Sequence, residues 1–255
     1  MALSDISFVS GLTALLIVLT SIGLGLYLIF SYLKSKSYQT LSLGLTIFSV
    51  GWVWSALAIN FILASMDRET IGEGDLVYVL IFAWAPALGL LGTTYLVTTL
   101  LKPSLLKPVG ILAIILALIH LIVMYILVPT DQIVTLSDVI TFSTVGPNDL
   151  PDASATGFLR IFSVIAIGAI FISGLFFLYT GIFSTISFVK ARGLLMGVGF
   201  SSFAVLIIFD TVLALDDVFL ILILRLLIVL VLFIMAIGIT LPGFIFGRFG
   251  ISKPT

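Results

Sequence analysis

Long, unbroken apolar runs separated by short polar turns fill this chain from end to end. A helix needs about 20 apolar residues to cross about 30 Å of hydrocarbon. By that measure the pattern predicts seven spans, near 7–33, 39–64, 76–101, 106–128, 157–187, 193–214 and 218–245. The runs lack the strict alternation of barrel strands. A helix also pairs its backbone N–H and C=O groups within its own span, as hydrocarbon demands. The expected fold class is all-α: a single domain forming a seven-helix transmembrane bundle.

The longest turn, 129–156, breaks this pattern. Its centre, 134–145, is rich in β-branched residues with partial alternation, which predicts a strand or hairpin over the bundle mouth. The following Gly146 to Asp152 is turn chemistry. The segment reads either as a lid that contacts a ligand or as a plain connector. An internal echo links Leu41-Ser-Leu-Gly-Leu-Thr-Ile-Phe-Ser, opening span two, to Leu194-Leu-Met-Gly-Val-Gly-Phe-Ser-Ser, opening span six. It is compatible with a duplication in which spans one to three match five to seven.

Charge then orients the spans. Lys34, Lys36, Lys102, Lys107, Lys190, Arg192, Arg248 and Lys253 fall on one side of the runs, with no acid among them. Asp67, Glu69, Glu73, Asp75, Asp131, Asp138, Asp149, Asp152, Asp216 and Asp217 fall on the other. Basic loops face the cytoplasm, so the N-terminus is expected outside and the C-terminus inside, with the plasma membrane as the default location. The basic turns, 33–40, 101–106 and 188–193, are short, and the tail from Arg248 to Thr255 is expected to carry no effector domain. The first run follows neither a cationic segment nor a small-residue cleavage site, so it is expected to remain as a span.

Composition narrows the chemistry. The 255 residues are 61% hydrophobic and 9% charged, against about 25% charged in soluble domains, and mean hydropathy is +1.38. The solvent is therefore expected to be a lipid bilayer. A net charge of −1 offers no basic excess for nucleic acid. Cysteine is absent and His120 is the single histidine, so thiolate or multi-histidine metal sites and bis-histidine haem are not available within one chain. No cofactor is expected. No span carries paired carboxylates or an HExxH pattern, and no enzymatic role is expected.

Ionisable groups inside spans are costly and mark sites. Asp210 in span six and Arg225 in span seven flank a tight turn. At 1.5 Å per residue both lie roughly 9–12 Å below it, and an Asp210–Arg225 ion pair is expected. Such a pair either tunes a polar ligand site or pins the two helices. His120, near the middle of span four, reads as a protonatable relay or as a neutral imidazole held by one hydrogen bond. Asn60, Tyr95 and Trp84 complete the candidate ligand-binding set. The hydroxyls of Thr93, Thr94, Thr98, Thr99, Ser201 and Ser202 are expected to bond to their own or neighbouring helices. Pro86 and Pro242 are expected to bend their spans. Gly193-x-x-x-Gly197 and Gly243-x-x-x-Gly247 permit close helix approach. Trp52, Trp54 and Trp84 sit away from the headgroup level and are expected inside the bundle.

A seven-span bundle invites comparison with microbial rhodopsins, which link retinal to a lysine in the seventh helix. Here that span holds Arg225 and no lysine, and a guanidinium cannot form the Schiff base. The stretch 82–95, with Trp84, Pro86 and Tyr95, followed by the Lys102-Pro103 turn, is similar to the third helix of the seven-helix N-terminal sensory region of membrane histidine kinases. The tryptophans of span two fit the same outline. That resemblance implies a sensory bundle with its N-terminus outside. That family usually continues into a cytoplasmic signalling domain, and the tail here is expected to carry none, so the resemblance implies signalling through a separate partner protein. The expected function is a receptor-like or sensory module that binds a small or lipophilic ligand. The alternatives are a small transporter or channel, and an accessory subunit of a membrane complex.

Overall fold

A computed structural model describes residues 3–71, 84–101, 103–130, 140–143, 150, 152–212 and 217–240. Helix α1 (Asp5–Ser35) opens with a Ser4 cap, whose hydroxyl accepts from the Ser7 N–H at 3.2 Å, and with Asp5 in its first turn. Both satisfy the partial positive charge of a helix start. It closes at Lys36, whose left-handed backbone (φ 54°) lets its N–H reach the Tyr32 carbonyl at 2.7 Å. The chain reverses there. Span two follows as α2 (Tyr38–Val50), a 3₁₀ turn (Gly51–Trp54) and α3 (Ser55–Ser65). Helices α4 (Trp84–Leu101), α5 (Leu106–Ile122), α6 (Gly157–Phe183), α7 (Ser187–Val212) and α8 (Val218–Thr240) complete the bundle.

Among the described residues, six helical segments are long and apolar enough to cross a membrane: Asp5–Ser35, Tyr38–Ser65, Pro103–Leu127, Gly157–Phe183, Ser187–Asp210 and Val218–Thr240. By length and composition, then, this is a helical, multi-pass membrane protein. The beginning of the expected third span lies outside the described residues, as do Pro242 and Gly243-x-x-x-Gly247. One boundary differs from expectation: Lys190 and Arg192 lie within α7, and the reversal after α6 is made at Ser184–Ile186. Cations at the first turns of a span reach the polar edge of the bilayer on long stems, so helix continues where hydropathy alone ends.

Helices successive in the chain run antiparallel and meet through small residues. A Cβ on Gly25 would lie 2.6 Å from the Phe48 Cβ, one on Gly92 2.5 Å from the Thr46 Oγ1, and one on Gly199 2.6 Å from the Met235 Cγ. The tightest seam joins α6 to α7. Here a Cβ on Gly193 would lie 2.7 Å from the Gly181 Cα, and one on Gly197 2.5 Å from the Leu178 backbone N. The Gly193–Gly197 pair, whose spacing also suits a dimer contact, is thus used inside the chain. The remaining core is aliphatic and aromatic, with Leu28, Ile47, Phe200, Phe203, Ile228 and Met235 fully buried. Most buried hydroxyls bond back to their own helix, as do Thr46 to Ser42 (2.9 Å), Ser49 to Thr46 (2.9 Å) and Thr98 to Thr94 (2.7 Å).

Span two is not the continuous helix that its apolar run predicts. Ser21 of α1 inserts its hydroxyl into the α2 ladder: it donates to the Ile47 carbonyl at 2.5 Å and accepts from the Gly51 N–H at 3.0 Å. Those two groups would otherwise bond to each other. An inserted side chain is a recognised cause of helix kinks, and the backbone tightens to 3₁₀ geometry over Gly51–Trp54. Span four carries a second irregularity, a π turn over Val123–Leu127, a form frequent at functional sites.

Two short strands, β1 (Ile140–Ser143) and β2 (Asp152–Ala155), pair antiparallel with Ile140 opposite Ala155 and Ser143 opposite Asp152. The fold remains helical, and this small hairpin lies in the 129–156 segment, where a strand or hairpin is expected. The first strand falls within the β-branched stretch. The second, Asp-Ala-Ser-Ala, has low intrinsic strand preference and forms because its partner is already there. Leu150 is buried, and its N–H donates to the Ser7 Oγ at 3.1 Å, so the long loop folds back onto the start of α1.

At Gly51 any Cβ would overlap the Ser21 Cβ and Oγ. Gly51→Ala is therefore expected to destabilise the bundle by about 1–3 kcal/mol, read as a lower melting temperature in detergent. Adding Ser21→Gly should restore part of the loss, because it removes both overlapping atoms.

Candidate functional site

Four helical segments converge on two charges. Arg225, on the buried face of α8, donates from Nε to the Asp210 Oδ1 of α7 at 3.1 Å; the two side chains are 8% and 6% exposed. The second carboxylate oxygen, Oδ2, accepts from the Trp54 indole N–H at 2.6 Å. Arg225 Nη1 donates to the Ser10 carbonyl at 2.6 Å and lies 2.9 Å from the Ser10 Oγ and 3.5 Å from the Thr13 Oγ1. Thr13 is itself held by the Val9 carbonyl at 2.7 Å. The cluster thus joins α1, the 3₁₀ turn of span two, α7 and α8. Burying either ion alone would be strongly unfavourable. Here each charge meets its opposite and several dipoles within hydrogen-bond reach.

The local sequence explains how each group arrives. Ser10 and Thr13 are three apart on α1 and so share a face. Trp54 ends the 3₁₀ turn that the inserted Ser21 hydroxyl creates; the tighter winding changes the angle at which residues after Gly51 leave the helix. A buried indole N–H needs an acceptor, and Asp210 supplies it.

Of the sequence candidates, the structure brings Asp210 and Arg225 together. Asn60 is fully buried in α3, where its Nδ2 donates to the Ile71 carbonyl at 3.1 Å and its Oδ1 accepts from the Ile71 N–H at 2.8 Å. That two-point contact imitates a strand pair and fastens the segment after α3. His120 is fully buried in α5, its ring stacked 4.0 Å from Phe162 and 6.0 Å from Phe158, and it ties α5 to α6. Trp84 forms an aromatic cluster with Phe48 (5.9 Å) and Trp52 (5.4 Å). Tyr95 lies eleven residues further along α4, about 16 Å by helix rise, and its carbonyl accepts from Thr99 at 2.7 Å. Trp54, Ser10 and Thr13 are the site residues that sequence reasoning did not select. A tryptophan N–H deep in a span was one available signal; the α1–α8 contact that recruits Ser10 had none.

Toward the end of the bundle where α1 begins lies an open hollow of ≈ 440 Å³, lined by Leu3, Asp5, Phe8, Ala64, Ser65 and Asp67. Phe8 packs edge-on against Phe61 at 5.6 Å, on the same helix as Ser10 and two residues from it. Comparison with known proteins returns no match, either to a family model or to a curated protein.

Asp210→Asn leaves Arg225 buried without its counter-charge and is expected to cost about 3–5 kcal/mol. In a double-mutant cycle with Arg225→Gln, the pair of changes should cost clearly less than the sum of the single ones, measured by denaturation in detergent. Trp54→Phe keeps the ring but removes the bond to Oδ2, with an expected loss of about 1.5–3 kcal/mol for a hydrogen bond to a charged group.

Proposed function

We propose that this protein is a receptor-like or sensory seven-helix module of the plasma membrane, with its N-terminus outside and its basic end in the cytoplasm. It binds a small or lipophilic ligand in its outer half and passes a shift of α7 and α8 to a separate partner protein. The observation that carries this reading is the Asp210–Arg225 pair. It joins four segments of the bundle, and Ser10, which Arg225 contacts, lies two residues along α1 from Phe8 on the hollow. A ligand that competes for one partner changes which helices are held together. Asp5, on the lining of the hollow, suits a ligand with a cationic or hydrogen-bond-donating group.

One observation favours a second reading, an accessory subunit of a membrane complex. Both carboxylate oxygens of Asp210 are already engaged within the chain, as a simple helix clamp requires.

Gentle detergent purification followed by native mass spectrometry separates the two. The sensory reading expects a small molecule bound to the wild type and lost on Asp210→Asn or Arg225→Gln, under conditions where the variants stay folded. A stoichiometric protein partner with no small molecule would instead establish the accessory subunit.

A further inference from the structure

Arg192 differs from the other cations of the chain. It lies in the first turns of α7, half-buried, and its Nε is buried with no hydrogen-bond partner. Arg225, the other arginine on the buried side of a span, is matched by Asp210; no carboxylate among the described residues plays that role for Arg192. Asp210 is 18 residues further along α7, about 27 Å by helix rise. The cations at the end of the bundle that holds Arg192 are Lys34, Lys36, Lys107 and Lys190, and no described acid accompanies them.

The backbone beside Arg192 is fixed. Gly193 abuts Gly181 and the Phe177 carbonyl of α6, which a Cβ would approach to 2.7 Å and 3.0 Å. A guanidinium partly removed from water needs an anion. Its planar fork matches phosphate oxygens better than an ammonium does. With Asp210 roughly 9–12 Å below the turn after α7, Arg192 stands about 36–39 Å from that turn, at the headgroup level of the opposite leaflet in a bilayer of about 40–45 Å including headgroups.

We propose that Arg192 forms a binding site for the phosphate of an anionic phospholipid headgroup beside the α6–α7 seam. The lipid supplies the counter-charge that the described residues do not. Lys190, exposed on another face of α7, adds only positive charge near the surface, which favours anionic over zwitterionic headgroups.

The test titrates the full-length protein in detergent with phosphatidylglycerol, phosphatidylcholine or inorganic phosphate and reads bound species by native mass spectrometry. Phosphatidylglycerol is expected to be retained over phosphatidylcholine. Arg192→Gln should weaken its retention about fivefold or more. Arg192→Lys should fall between, since it keeps the charge and loses the fork; it also decides the matter if Arg192→Gln fails to fold. Lys34→Gln/Lys36→Gln at the same end should leave retention unchanged. Equal losses from the Lys34/Lys36 variant would overturn the proposal in favour of general surface attraction. So would equal retention of both lipids, or retention unaffected by either Arg192 variant. Phosphate binding that displaces the lipid without loss of affinity would reassign the site to a free anion.

Discussion

A charge carried into an apolar bundle must bring its opposite with it, and here that requirement decides where four helical segments meet. Arg225 on α8 faces inward because Asp210 on α7 is there to receive it, and the pair in turn recruits Ser10 of α1 and the Trp54 indole. Apolar contacts distinguish poorly among rotations of a helix when the surrounding lipid is as apolar as the core. A buried ion pair with directed hydrogen bonds distinguishes sharply. It sets the rotation of α7 and α8 and fastens α1, the first helix of the chain, to α8, the last one described.

Close backbone approach does the rest of the packing. Gly25, Gly92, Gly181, Gly193, Gly197 and Gly199 let one helix lie directly on the next, which maximises dispersion contact where no hydrophobic effect drives association. At Gly51 the same close approach has a second result. With no side chain in the way, the Ser21 hydroxyl replaces a link of the α2 ladder, and the resulting 3₁₀ turn delivers Trp54 to Asp210. Packing and polar chemistry are thereby coupled across a few residues: a glycine in span two conditions the surroundings of a carboxylate in α7.

The two ends of the bundle invite different partners. The end where α1 begins offers the hollow beside Phe8, with acidic residues at its rim, and the folded-back loop at Leu150. Among the described residues the opposite end offers cations without acids, and one of them, Arg192, is partly withdrawn from solvent. α7 runs between them with Asp210 toward one end and Arg192 toward the other.

The sequence by itself determined the number and approximate extent of the apolar runs, the segregation of charge to two sides and the presence of Asp210 and Arg225 at matching depth. These are legible because hydrocarbon thickness and charge burial act on each span separately. The bonding of most buried hydroxyls to their own helix also follows, since a serine or threonine reaches its own preceding turn. The tertiary structure alone decided that Trp54 and Ser10 complete the pair and that span two breaks at Gly51. It also decided that Asn60 serves the backbone of Ile71, that His120 stacks on Phe162 and that Asp152–Ala155 becomes a strand. Each of these depends on an atom from another element arriving within about 3–4 Å. Periodicity along one helix holds no record of which neighbour will be there.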